Sequence, residues 1–271
     1  MQTPYKKRVY RMKINIENIM ESLISISKEA GNEIMEIYKL EDLGISHKDD
    51  NSPLTLADKA SNNIICSRLK ELTPNIPILS EEGKNISFDE RKTWNTFWLI
   101  DPLDGTKEFI KKNGEFSVNI ALINHFKPIL GIVYAPVLDT VWYGSVSGGS
   151  FKIRNNKKPE KINVLKYHED EPIKVVSSRS HSNNTKLDEF LTDYPKHELV
   201  FMGSSIKICL VADSSAHIYP RLGPTMEWDT AAAHAVVKYA GGNIFDMNDK
   251  NELVYNKENL LNPSFLVKES L

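Results

Sequence analysis

One short segment constrains this chain more than its bulk properties do. In Trp98-Leu-Ile-Asp101-Pro-Leu-Asp104-Gly-Thr106 an apolar strand runs straight into two carboxylates three residues apart. Pro102 blocks continued sheet pairing and Gly105 permits a sharp turn, so both acids face one crevice. Two carboxylates confined together repel each other, and both stay ionised only with cations between them. Hard oxygen donors of this kind suit Mg2+, which accepts a few carboxylates and fills its remaining positions with water and phosphate oxygens. Backbone amides after Gly105, at a helical turn through Thr106 to Phe109, could meet those phosphate oxygens. The same D-x-x-D also reads as a turn whose aspartates cap local amides.

Further acids stand at element ends. Ser80-Glu81-Glu82-Gly83 closes the apolar run Ile76 to Leu79, where the plain alternative is a polar turn. Asp229 follows Trp228 and opens a helix expected over Thr230 to Tyr239, where a cap for the first amides is the competing role. Asp58, in Thr55-Leu-Ala-Asp58, could equally complement the dipole at a helix start.

The surroundings are those of an ordinary globular protein. With 271 residues, 41% of them apolar, there is material for one large core or two ordinary ones. A formal net charge of -2 provides no global field for a nucleic acid polymer, so phosphate recognition must be local. Cys66 and Cys209 are far apart without metal-type spacing, which fits a reducing compartment and a role as small buried hydrophobes. No uninterrupted apolar core follows the basic start Lys6, Lys7, Arg8, Arg11 and Lys13, so neither a signal peptide nor a membrane span is expected. Residues 1–13 read as a disordered extension and the location as cytoplasmic. The basic run is compatible with peripheral contact to anionic lipid at the inner face of the cell membrane.

Periodicity predicts a first helix carrying Ile16, Ile19, Met20, Leu23, Ile26 and Ala30, and a second from Leu56 to Leu69. Strand-like runs follow at Ile76 to Leu79, Phe97 to Ile100, Phe116 to Ile123, Ile129 to Tyr134 and Val141 to Tyr143. They predict a largely antiparallel sheet covered by the two helices. Past Asn155 to Pro159 the rhythm alternates. Strands are expected at Ile173 to Val176, Leu199 to Phe201 and Ala216 to Tyr219; helices at Lys186 to Leu191, Ser205 to Val211 and Thr230 to Tyr239. The expected organisation is an α+β metal-binding unit over 14–165 and an α/β nucleotide-recognition unit over 166–271, joined at a soft boundary.

Together, Asp50-Asn-Ser-Pro-Leu-Thr-Leu-Ala-Asp58, Leu79-Ser-Glu-Glu82, the Trp98 to Thr106 segment and Glu227-Trp-Asp-Thr-Ala-Ala232 resemble the inositol monophosphatase superfamily, over roughly residues 14 to 268. Within it, Lys107-Glu-Phe-Ile110, Ser178-Arg-Ser-His181, Gly203-Ser-Ser-Ile-Lys207 and Tyr219-Pro-Arg-Leu-Gly-Pro-Thr225 are similar to 3'(2'),5'-bisphosphate nucleotidases of the CysQ type.

The resemblance implies an α/β (α+β) fold, the layered α-β-α-β-α sandwich of the inositol monophosphatase and fructose-1,6-bisphosphatase type. It implies two or three Mg2+ ions, one held by Glu81, Asp101 and the Leu103 carbonyl, another by Asp101, Asp104 and Asp229. Asp58 and Thr106 would orient and help deprotonate the attacking water, with Glu81 counted among the catalytic acids and Glu82 as a further or outer metal acid. Substrate contacts would come from Glu81, Leu103, Asp104, Gly105, Thr106 and Asp229 at the cleaved phosphate, and from His181, Ser204, Lys207 and Arg221 around the second phosphate and the adenosine. The implied reaction converts adenosine 3',5'-bisphosphate (PAP) to AMP and phosphate, with PAPS to APS as a related step in sulfate assimilation. The implied enzyme is a lithium-sensitive monomer or homodimer.

Two positions depart from the family pattern: Ala233 stands where relatives usually carry Gly, and Ser150 where Ala is common. His47, His125, His168, His197, His217 and His234 form no ligand pair and read as structural or surface residues. An inositol monophosphatase or another sugar phosphatase is the alternative enzyme. A non-catalytic nucleotide-binding regulator is the alternative of another class, against which stands the complete set Asp58, Glu81, Asp101, Asp104, Thr106 and Asp229.

Overall fold

The computed structural model describes residues 16–48, 53–167, 171–178 and 185–270. The N-terminal extension, Asp50 to Ser52 of the first motif, His168, and Arg179 to His181 lie outside the described residues.

Helix α1 (Ile16–Tyr38) buries Met20, Leu23, Ile26, Ala30 and Ile34, one face at helical spacing. A hairpin of β1 (Ser46–His47) and β2 (Pro53–Leu54) leads into α2 (Leu56–Leu72). Thr55 caps that helix, accepting the Ala57 amide at 3.2 Å, and Asp58 reaches back to the Thr55 amide, closing a capping box.

Then come β3 (Ile78–Ser80), α3 (Phe88–Arg91), β4 (Thr96–Asp104), α4 (Thr106–Ile110), β5 (Ser117–Asn124), β6 (Lys127–Ala135), β7 (Thr140–Ser145), β8 (Gly149–Arg154) and β9 (Glu160–Ile162). Strands β3 to β9 lie in chain order in one seven-stranded sheet, with β3 parallel to β4 and the later pairs antiparallel.

The second half runs β10 (Ile173–Ser177), α5 (Thr185–Leu191), β11 (His197–Phe201), α6 (Ile206–Ala212), β12 (Tyr219–Arg221), α7 (Glu227–Tyr239), β13 (Gly242–Asp246) and β14 (Phe265–Glu269). Strands β10 and β11 pair in parallel, and β12 and β13 flank β14 antiparallel.

Two expectations move. The strand placed at Ala216 to Tyr219 falls at Tyr219–Arg221, because its ladder partner is β14 (Tyr219 opposite Val267), and Ile218 makes only an isolated bridge to Val175. Helix α7 begins at Glu227 rather than Thr230, so Asp229 lies within its first turn.

Strand alternation sorts the core into layers. Trp98, Ile100, Val118, Ile120 and Leu122 pack with α1 and α2, while Phe97, Leu99, Ala121 and Ile123 pack with α6 and α7. Beyond α6 and α7, Ile244, Phe265 and Val267 join the same cluster, whereas Leu266 faces the other way, onto Ile173, Val175 and the α5 residues Leu187 and Leu191. The result is the layered α-β-α-β-α sandwich. Helix α7 approaches the large sheet closely: a Cβ on Gly131 would lie 2.1 Å from the Ala232 carbonyl oxygen, and one on Gly144 would lie 2.9 Å from that of Ala235. Ser150, one of the departures, donates to the Val236 carbonyl at 2.6 Å, and Ala233 is fully buried. This contact brings the start of α7 to the ends of β3 and β4.

Candidate active site

Each acid singled out from the sequence stands at an element end, and most anchor one carboxylate oxygen to the chain. Asp58 Oδ2 accepts the Thr55 amide at 2.7 Å and the Thr55 hydroxyl at 2.6 Å, while Oδ1 accepts the Thr106 hydroxyl at 3.1 Å. The capping role and the Thr106 contact therefore coexist on two oxygens of one group. Asp229 Oδ2 accepts the Met226 amide at 2.9 Å, and Asp101 Oδ1 the Leu103 amide at 3.1 Å. Asp104 Oδ2 accepts the Ser204 hydroxyl at 2.6 Å and the Ser205 amide. Glu81 is placed beside the end of β4 by its own amide, which donates to the Ile100 carbonyl at 3.1 Å.

Three of these acids converge. One carboxylate oxygen from each of Glu81, Asp101 and Asp229 lies within 4.8 Å of the others. Burial pushes all three carboxyls up, Asp101 and Asp229 far above the usual range, and the neighbouring negative charges, Asp104 among them, add to it. Such a set of hard, like-charged oxygen donors fits a divalent cation on chemical grounds. Glu81 and Glu82 meet a chain cation instead: Lys48 Nζ lies 2.6 Å from Glu81 Oε1 and also contacts Glu82 Oε1.

Gly105 turns the chain out of β4 with φ of 95°, and a Cβ there would lie 3.1 Å from the Glu115 carbonyl oxygen. The turn aims Thr106 back at Asp58, and the Thr106 hydroxyl also lies 3.4 Å from the Leu103 carbonyl.

Beside the acids opens a cavity of about 370 Å³ lined by Asp104, Gly105, Ser204, Lys207, Arg221 and Asp229, among others. Lys207 is buried, and its ammonium reaches the Ser204 carbonyl at 2.7 Å and the Tyr219 ring face at 5.5 Å. Burial outweighs the nearby acids and brings its pKa down to about 8. Arg221 donates to the Pro224 carbonyl at 2.9 Å, and among the described residues its buried Nε has no partner. Two cations in one cavity, one of them with an unpartnered buried donor, suit that end to an anion on chemical grounds. Ser204 joins this end to the acids through Asp104. His181 lies outside the described residues.

Sequence reasoning passed over Lys48, Tyr219, Ser117 and Asn119. Tyr219 sat inside a quoted motif, whereas Lys48 had no local signal, because only tertiary structure brings the β1–β2 hairpin to Glu81. Of the other histidines, His234 Nδ1 lies 2.8 Å from the Tyr255 hydroxyl and Nε2 lies 2.6 Å from Asn243 Oδ1, while His217 Nδ1 accepts the Lys174 amide at 2.9 Å. Both roles are structural. Both cysteines are free, Cys209 buried and Cys66 partly so. Among the described residues no helix is long and apolar enough to cross a membrane.

A layered sandwich that gathers acids from two strand ends and a helix start beside an anion pocket defines a phosphatase-like class, and a family match over residues 15–270 makes the chain a member of the inositol monophosphatase family. Among curated proteins it is 44% identical over 250 residues to the 3'(2'),5'-bisphosphate nucleotidase CysQ of Escherichia coli O6:H1, covering 92% of this chain and 99% of that one. The crystal structure of CysQ from Bacteroides thetaiotaomicron superposes with a TM-score of 0.83 at 38% identity, covering 94% of this chain and 98% of that one. A Thermotoga maritima IMPase shares the fold with a TM-score of 0.75 at 21% identity, covering 93% and 92%.

Proposed function

We propose that this chain is a Mg2+-dependent 3'(2'),5'-bisphosphate nucleotidase that hydrolyses adenosine 3',5'-bisphosphate to AMP and phosphate, with PAPS to APS as a related reaction. The carrying observation is the juxtaposition of the Glu81, Asp101 and Asp229 cluster with a cavity lined by two cations, the buried Lys207 and the partly buried Arg221. The likeness to CysQ nucleotidases over nearly their full length supports the same reading.

In this reading Glu81, Asp101, the Leu103 carbonyl, Asp104 and Asp229 hold the ions. When bound, Mg2+ supplies Lewis acidity that activates water and stabilises charge on the phosphoryl and leaving oxygens. The rest belongs to the chain. The Thr106 hydroxyl donates its proton to Asp58, so its oxygen lone pairs face the attacking water and receive its proton. Gly105 lets the backbone approach the phosphate without a side chain between them. Arg221 holds the uncleaved phosphate through donors that include its unpartnered Nε and Lys207 as a point charge, with Ser204 and His181 completing the nucleotide contacts. A pocket for sugar monophosphates alone would leave both cations without an anion, which favours the bisphosphate.

The test is phosphate release from adenosine 3',5'-bisphosphate, inositol 1-phosphate and fructose 1,6-bisphosphate side by side with Mg2+. The nucleotide is expected to have the highest kcat/KM. A sugar phosphate with the higher value would overturn the assignment.

A further inference from the structure

On β5 the face that carries Ala121 and Ile123 into the core carries Ser117 and Asn119 one step earlier. Both are buried, 0% and 1% exposed, where an apolar pair would satisfy the pattern. A buried polar group is costly unless bonded, so their partners matter. Register puts Ser117 opposite Asp104 and Asn119 opposite Asp101, across the bulge in β4. Neither lines the cavity beside the acids.

Their hydrogen bonds run to the Ser204–Ser205 turn. Ser117 Oγ lies 2.6 Å from Ser204 Oγ, and Ser205 Oγ donates to Asn119 Oδ1 at 2.8 Å; Ser117 and Ser205 approach to 3.0 Å with no proton left to share once each has donated elsewhere, and among the described residues Asn119 Nδ2 has no partner. The Ser204 hydroxyl donates to Asp104 Oδ2 at 2.6 Å. Having one proton only, Ser204 must receive the bond from Ser117. The chain of donors therefore runs one way, Ser117 to Ser204 to Asp104, and ends on Oδ2, which also accepts the Ser205 amide. The turn is demanding in itself: Ser204 has φ of 57°, and a Cβ on Gly203 would lie 2.7 Å from the Glu115 carbonyl oxygen. It needs support from below.

We propose that Ser117 and Asn119 are positioning residues that clamp the Ser204–Ser205 turn onto Asp104, saturating Oδ2 so that the carboxylate presents Oδ1 alone to the cation. The inference rests on Asp104 being a metal ligand, as in the preceding section. Outer partners of ligating carboxylates typically contribute 10- to 100-fold in metal affinity.

The experiment titrates Mg2+ alone into the metal-free protein by calorimetry, with circular dichroism confirming the fold. Ser117→Ala and Asn119→Ala are each expected to raise the Mg2+ Kd at least about tenfold, and Ser117→Thr, which keeps the hydroxyl, to stay within about twofold of the parent. Elevated Mg2+ is expected to restore phosphate release by Ser117→Ala. A folded Ser117→Ala or Asn119→Ala protein with the parent's Kd overturns the clamp, whatever its melting temperature, and so does a Ser117→Thr protein as weak as Ser117→Ala. If the parent binds no Mg2+, the metal reading fails and takes the clamp with it.

Discussion

Two acids two residues apart on α7 have opposite fates. Glu227 is fully buried, yet its carboxylate accepts the Asn256 amide at 2.6 Å, the Lys257 amide at 3.0 Å and Lys257 Nζ at 2.6 Å. Arg91 extends this anchor, bonding Asn256 Oδ1 at 3.0 Å and the carbonyls of Lys257 and Glu258. Burial raises the Glu227 carboxyl, and every further influence on it, from Lys257 and Asn256, pulls the other way. For Asp229 the chain supplies the Met226 amide, while Asp104 and Glu81 add repulsion to burial and hold it far above its usual range. Glu227 is saturated by its own chain, whereas Asp229 is left facing like charge with Arg221 as a partial counterweight. The unsatisfied region is the one that needs something from solution.

The largest expected break in that contrast is Asp101→Asn. Removing the most central of the site acids should lower kcat/KM by about 10³-fold or more, the loss of several kcal/mol of metal-supplied stabilisation, with the fold retained; near-normal turnover would refute the metal reading. Arg221→Ala should raise KM for the bisphosphate about 10- to 100-fold, the worth of a charge-assisted fork, and leave inositol 1-phosphate within about threefold. Equal weakening of both would remove Arg221 from specificity.

Glu227→Gln probes the saturated region. Its amide nitrogen would face a donor from Asn256 or Lys257, so stability should fall by about 1 to 3 kcal/mol while the Mg2+ Kd stays that of the parent. Denaturant unfolding and calorimetry read the two independently.

His234, fully buried on the same helix, extends the contrast to a group satisfied as a neutral base, since burial brings its pKa down to about 4. The unfolded chain takes up that proton below about pH 6.5 and the folded chain does not. The His234 contribution to stability is therefore full above the unfolded value and declines as pH falls from about 6.5 toward 4, at up to roughly 1.4 kcal/mol per pH unit, against the opposite contribution of the raised carboxyls. The difference between the parent and His234→Asn in urea unfolding across that window should show the slope.

Legibility followed the same division. The two-carboxylate strand end, the α1 stripe and the Thr55-to-Asp58 helix start are local patterns of spacing and capping, and they were readable residue by residue. The competing roles for Asp58, Asp104 and Asp229 were not separable locally, because one carboxylate oxygen serves the cap or the turn and the other faces the site. Lys48 was invisible, since its partners Glu81 and Glu82 are more than thirty residues away in the chain. Ser117 and Asn119 looked like ordinary strand positions, and the start of α7 was displaced by a turn.

By itself the sequence marked the strand-end and helix-start acids as candidates for chemistry, because strand alternation, helix periodicity and turn residues are properties of a few neighbours. The tertiary structure alone decided which of them meet. Glycine and alanine contacts seat α7 against the large sheet, so Asp229 arrives beside Asp101 and Glu81 with one oxygen already anchored. The Ser204–Ser205 turn arrives on Asp104 with Lys207 behind it. These juxtapositions depend on long-range packing, and no local pattern encodes the distance between two carboxylates brought together by separate elements.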